Sequence, residues 1–186
     1  SQPPKNKDYL HIELYKEALK KIACETTIGI SGGEPTLFKD ELFELVEDSI
    51  LQNPMISFHI LTNAQHFCEE DIPVLEKLSN HVLWAVPIYG SEPEIHNKIV
   101  GKELALSCVL KNLAILARAG SSVEIRTVIL QQNFFNLIKL ANFISVNLSW
   151  VHSWSLMQLE PIGYAKLDWH LKFFDTSRFF GAIGAC

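Results

Sequence analysis

Short apolar runs alternate with amphipathic stretches along this chain, at the spacing of roughly 30 residues that one strand–helix–strand unit occupies. The runs starting at Thr26, Ile56, His81, Val123 and Ser153 read as strands, ending near Thr62, Tyr89, Leu130 and Leu159 in the last four. Between them lie helical patterns over about Asp40–Gln52, Glu70–Leu78, Glu103–Ala119 and Phe134–Asn147. An earlier helix starts at Asp8 and carries Ile12, Tyr15, Ala18, Leu19 and Ile22 at helical spacing. Gly90, Pro93 and Gly101 read as a loop before the long helix. This order is what right-handed βα units on a parallel sheet produce. Five strands are too few to close an eight-stranded barrel, which leaves an open, curved barrel or a doubly wound sheet.

Strand polarity separates these two. In Ser122–Leu130, Val123, Ile125, Thr127 and Ile129 share one face, and Glu124 and Arg126 lie on the other. Helices cover the apolar face, so Glu124 and Arg126 should point to a concave interior. The same alternation sends Ser57, His59 and Asn63 inward, with Gly29 and Ser31 from the first strand. A sheet covered by helices on both faces has no place for these groups. A half-barrel with a polar, ligand-filled interior does, and the expected fold class is an α/β partial barrel.

Composition limits the function classes. The chain has 186 residues, 48% of them hydrophobic, which is ample for one globular core. A net charge of −5 gives no basic footprint for nucleic acid. No apolar run approaches the ~20 residues of a membrane helix. Cys24, Cys68, Cys108 and Cys186 are far apart and share no metal-ligand spacing, which favours a reducing cytoplasm over a disulfide-stapled context. Methionine occurs only at positions 55 and 157, and the end Phe179–Cys186 is apolar, so the chain reads as a segment of a longer protein.

The chemistry concentrates where the first strand breaks into Gly32-Gly33-Glu34-Pro35. Two glycines remove both Cβ atoms at a turn, at the carboxyl end of a strand, where α/β folds place ligands. Main-chain groups around such a turn can bind an amine or a carboxylate, and Glu34 can accept hydrogen bonds from a cation. A plain strand-to-helix connection is the competing reading. The tryptophans read as packing, and the histidines other than His59 and His96 as surface or packing residues. The charges of Lys16, Glu17, Lys20 and Lys21 read as a solvated helix face.

The sequence Gly32-Gly33-Glu34-Pro35-Thr36 after a short strand resembles the radical SAM superfamily's motif for the methionyl moiety of S-adenosylmethionine. Thr62-Asn63-Ala64 resembles its Thr-Asn-Gly, with alanine for glycine. His96-Asn97-Lys98-Ile99-Val100-Gly101 resembles its His-Asp-x-x-x-Gly, with asparagine for aspartate. Val123–Ile129 followed by Asn133 resembles its fifth strand and loop. Leu159-Glu160-Pro161-Ile162-Gly163-Tyr164-Ala165, with Met157 before it, resembles the His-Xaa-Ser system radical SAM maturases, a subfamily linked to peptide modification.

The resemblance implies a partial (β/α)6-type TIM barrel missing its first strand, with residues 1–166 as an incomplete core and 167–186 the start of a C-terminal extension. It implies S-adenosylmethionine held by Gly32, Gly33, Glu34 and Pro35, with Asn63 touching its ribose or methionyl group. Arg126 would pair with the carboxylate, a match for a planar guanidinium. The competing role for Arg126 is an ion pair with Glu124. Leu159, Glu160 and Gly163 would line the adenine. The superfamily's Cys-x3-Cys-x2-Cys loop, whose thiolates hold a [4Fe–4S] cluster, is missing. It is expected just upstream of Ser1, so this segment alone should be inactive. The implied partners are a peptide substrate and a second maturase, without nucleic acid or membrane. Two other readings use the same residues: a glycyl-radical-activating type of protein, and a cluster-free, degenerate barrel serving as a binding or scaffold partner.

Overall fold

The structure is a computed structural model and describes residues 12–160 together with Phe173. In chain order its elements are α1 (Ile12–Leu19), β1 (Thr26–Ile30), α2 (Lys39–Gln52), β2 (Ile56–Leu61), α3 (Ile72–Leu78), β3 (Val82–Pro87), α4 (Pro93–Val100), α5 (Ala105–Arg118), β4 (Ser122–Ile129), α6 (Leu137–Asn147) and β5 (Ser153–Gln158). The five strands form one sheet in sequential order, β1-β2-β3-β4-β5. β1 runs parallel to β2, and β2 parallel to β3. Sequential order with a helix in each connection is the expected βα winding.

One expectation is corrected. The segment around Pro93 reads as a loop in the sequence, yet it is helix α4. Pro93 opens that helix, where a missing N–H costs nothing, and Gly101 closes it at φ 73° with its N–H on the Asn97 carbonyl. The residues that look like loop punctuation are the two ends of a short helix.

The chain divides into two compact units, one with residues up to Val86 and Cys108–Glu124, the other with Pro87–Ser107 and the residues from Ile125 on. The first unit packs Leu42, Leu45 and Val46 of α2, Leu75 and Leu78 of α3, and Phe58 and Ile60 of β2 into a dry core. Trp84 is buried there with Phe67 edge-on to it at 5.2 Å. Lys16 of α1 reaches Glu44 at 2.5 Å and Asp48 at 2.7 Å on α2, and hydrogen bonds to Asp48 and Glu44 hold its ammonium above the usual lysine range. The second unit buries Ile88, Ile125, Ile129, Leu140 and Ile144.

Strand polarity follows the expected alternation. Val123, Ile125, Thr127 and Ile129 are all buried. On β2, Ile56, Phe58 and Ile60 are buried, while Ser57 and His59 are half-buried. Register pairs Thr27 with Ser57 and Gly29 with His59, so the polar positions of β1 and β2 share one face.

Candidate functional site

Gly32 and Gly33 stand just past β1, at φ 95° and 56°, conformations that side chains resist. A Cβ built on either would meet nothing within 4 Å. Glycine is needed here for its backbone angles, and the main chain of the turn faces open space. The next residue leaves that conformation: Glu34 is extended and caps the short 3-10 turn Pro35–Phe38.

Glu34 locks the turn to the end of the neighbouring strand. Its Oε1 accepts from the Thr36 N–H at 3.1 Å, the Thr36 hydroxyl at 2.6 Å and the Thr62 hydroxyl at 2.5 Å. Its Oε2 accepts from the Asn63 N–H at 2.7 Å. Four protein donors thus converge on one carboxylate, and charge-assisted bonds of this kind are the strong ones. Of the expected ligand groups, Glu34, Pro35 and Asn63 are brought together with the two glycines. The groups left open are the main-chain amides and carbonyls of Gly32 and Gly33.

Asn63 has a local task as well, since its Oδ1 accepts from the Gln65 N–H at 3.0 Å. Ala64 stands at φ 50°, the left-handed position that glycine would fill without strain. Its N–H donates to Thr62 Oγ1 at 3.0 Å, and its carbonyl accepts from Asn112 at 2.8 Å, so the bend is tied on both sides.

His59 and Glu124 are a pair that the sequence reading places on one face without joining them. His59 Nε2 lies 2.7 Å from Glu124 Oε2. The contact reaches from β2 to β4 over Leu83 of the intervening β3, which is the register partner of His59. Strands two apart are separated by about 10 Å in a flat sheet. The two long side chains and the contact between them span that gap.

Arg126 belongs to the other unit. Its Nη2 lies 2.8 Å from the thioether sulfur of Met157, a weak acceptor, and its Nε is buried without a hydrogen-bond partner among the described residues. Leu159 is half-buried and Glu160 exposed, just past β5; Gly163 lies outside the described residues.

The His96 motif proves to be a structural corner. His96 is buried, its Nδ1 accepts from the Tyr89 N–H at 3.2 Å, and burial pushes its pKa down to about 4, so the ring is neutral. Asn97 Oδ1 accepts from the Leu106 N–H at 2.9 Å, fixing the start of α5. Asn133 closes the loop after β4 through its bonds to Leu130 N–H and the Val128 carbonyl.

A [4Fe–4S] cluster finds no ligand set among the described residues. Cys24, Cys68 and Cys108 are free, and no three His, Cys, Asp or Glu side chains there group to hold a metal ion. For S-adenosylmethionine, the open main chain of the glycine turn is a fitting group. Among the described residues no helix is long and apolar enough to cross a membrane.

The sequence profile of the radical SAM superfamily matches residues 2–144. Among solved structures, native anSMEcpe with bound AdoMet superposes with a TM-score of 0.64 at 21% identity, over 81% of this chain and 42% of that one. Streptococcus suis SuiB bound to S-adenosylmethionine gives 0.64 at 19% identity, over 82% and 34%. SuiB bound to the precursor peptide SuiA gives 0.63 at 18% identity, over 85% and 34%. The fold is the α/β partial TIM barrel of these structures, and the chain spans less than half of their length. A comparison with curated proteins finds no match.

Proposed function

The chain belongs to the radical SAM superfamily, and on that premise we propose that it is part of an enzyme that binds S-adenosylmethionine and modifies a ribosomally made peptide. The observation that carries the reading is the open Gly32-Gly33 turn at the carboxyl end of β1, locked by the four donors on Glu34. The cofactor's ammonium is held by the main-chain carbonyls of Gly32 and Gly33 and by Glu34, whose Oε2 accepts from the Asn63 N–H and keeps a lone pair. Glu34 also fixes the turn in place. Pro35 starts the 3-10 turn beside the glycines, where its missing N–H costs nothing. Asn63 offers its side-chain amide beside the turn.

Arg126 takes the cofactor's carboxylate. Support comes from its poor set of acceptors, one thioether and an unpartnered buried Nε. Arg126→Ala should weaken S-adenosylmethionine binding by about 1.5–3 kcal/mol, the worth of a charged hydrogen bond. Unchanged affinity in a calorimetric titration would remove Arg126 from the site. Leu159, Glu160 and Gly163 are proposed to line the adenine.

Beside a reduced cluster the bound cofactor would supply radical chemistry for hydrogen abstraction from the substrate, with Gly32, Gly33 and Arg126 orienting it and the protein keeping water away. We take the cluster ligands to be cysteines outside the described residues. The peptide class is supported by the bound peptide in SuiB, and by the likeness of Leu159–Ala165 to the His-Xaa-Ser system maturases. The full-length protein, reconstituted anaerobically, should form 5′-deoxyadenosine when given S-adenosylmethionine and a reductant. A cluster-loaded protein that forms none refutes the enzymatic reading.

A further inference from the structure

The loops that Glu34 joins carry a second link, between two nucleophiles that the roles above leave unused. Lys39 opens α2, directly after the 3-10 turn that Glu34 caps, and Cys68 caps the 3-10 turn Glu69–Asp71 ahead of α3. Lys39 Nζ donates to Cys68 Sγ at 3.1 Å and to both Asp71 oxygens at 2.8 Å. Asp71 is buried, and its Oδ2 also accepts from the Cys68 N–H at 2.8 Å. One carboxylate therefore holds the amine and the thiol side by side. An ion pair with Asp71 uses two of the three ammonium donors and does not require sulfur at the third. The Lys39 side chain is 24% exposed and Cys68 is half-buried, so a small molecule in solution reaches the pair.

The thiolate is the form of cysteine that attacks peroxides, and the Lys39 ammonium stands where it meets the negative charge on sulfur. The product of that attack is a sulfenic acid, which condenses with a thiol or with nitrogen. Here the neighbour is a nitrogen already in contact. Burial works against the Lys39 charge, but hydrogen bonds to Asp71 and Cys68 outweigh it and hold the ammonium above the usual lysine range. Only a small share is free amine at neutral pH. Effective molarities of about 10⁵–10⁸ M for well-oriented neighbours offset this, and Asp71 is placed to take the proton.

We propose that Lys39 and Cys68 are an oxidative modification site, at which a peroxide converts their contact into a reversible covalent bridge, a sulfenamide between Nζ and Sγ. In the first step the Cys68 thiolate attacks hydrogen peroxide. An S–O bond forms, the O–O bond breaks and one water leaves; sulfur loses the two electrons that the peroxide gains. In the second step the Lys39 amine attacks the sulfur. An S–N bond forms, the S–O bond breaks, and the departing hydroxyl leaves as water with a proton from nitrogen. Thiol, amine and one peroxide thus give the bridge and two waters. A dithiol reverses it, returning amine and thiol as its own sulfurs join in a disulfide. Neither S-adenosylmethionine nor the cluster takes part. The bridge ties the start of α2 to the turn before α3, and so staples the two loops that Glu34 already joins. The test treats the full-length protein with hydrogen peroxide, alkylates free thiols and digests with trypsin. The bridge blocks cleavage after Lys39, so Ile22–Lys77 should appear as one peptide, about 2 Da light, with Cys24 alkylated and Cys68 not. Dithiothreitol before alkylation should restore cleavage. Lys39→Arg keeps a cation for Asp71 but no amine nucleophile; its Cys68 should stop at the sulfenic acid and take up dimedone several-fold more than the wild type. Cleavage after Lys39 in the oxidised wild type, a light peptide in which Cys24 is also blocked, or equal dimedone labelling of Cys68 in the two proteins overturns the bridge. The wild-type digest decides by itself if the variant does not fold.

Discussion

Glu34 carries more of the site than its place in a short motif implies. Its partners Thr62 and Asn63 come from the end of β2, so one carboxylate fixes the relation of two strand ends. Glu34→Gln leaves an amide facing the Asn63 N–H, donor against donor. It should lower stability by about 1–3 kcal/mol in urea unfolding, and a change within error would demote the clasp to a passive contact. His96 makes a prediction in pH. Burial lowers its pKa from 6.5 to about 4, so the unfolded chain takes up the proton first as pH falls. The stabilisation is complete above about 6.5 and is lost toward about 4, by on the order of 1–3 kcal/mol. Urea midpoints at pH 7 and 4.5 should differ accordingly, and in His96→Gln this part of the difference should vanish.

At the scale of elements, glycines that look alike in the sequence do different work. Gly33 has room for a side chain but an unfavourable φ of 56°. Gly90 has no room: a Cβ there would lie 2.7 Å from Ile95 Cγ2 and 3.1 Å from Asn136 Oδ1. Gly90→Ala should therefore cost about 1–3 kcal/mol through overpacking, and Gly33→Ala about 1–2 through its backbone. Relief of the Gly90→Ala loss by Ile95→Ala, which removes Cγ2, checked in a double-mutant cycle, would identify the clash as the cause. The βα alternation is legible because each strand shows its apolar period and each long helix its own. Helix α4 is not, because Pro93 and Gly101 carry opposite meanings in a loop and at the two ends of a helix. The bend at Ala64 is likewise hidden, since alanine does not announce a φ of 50°.

For the molecule as a whole, the polar face is the property that the sequence carries best. Alternation alone puts Gly29, Ser57, His59 and Glu124 on one side, and the β1–β2 register and the His59–Glu124 contact agree. Partners are what alternation cannot supply. The sequence leaves Glu124 open to Arg126, whereas in the structure it meets His59, 65 residues away in the chain. It offers Glu34 to a ligand, and holds no sign of the four protein donors that also engage the carboxylate. In both cases the deciding contact joins separate strands, and spacing holds no record of it. Superfamily membership and the partial barrel are established, and the cofactor at the glycine turn is the claim on which the rest depends. Titration of S-adenosylmethionine into the full-length, cluster-loaded protein tests it most directly. The account predicts saturable binding that Gly33→Val weakens at least about tenfold, since a β-branched residue resists positive φ and would crowd the open turn. Binding of equal strength in the two proteins, or no binding to the wild type, contradicts it.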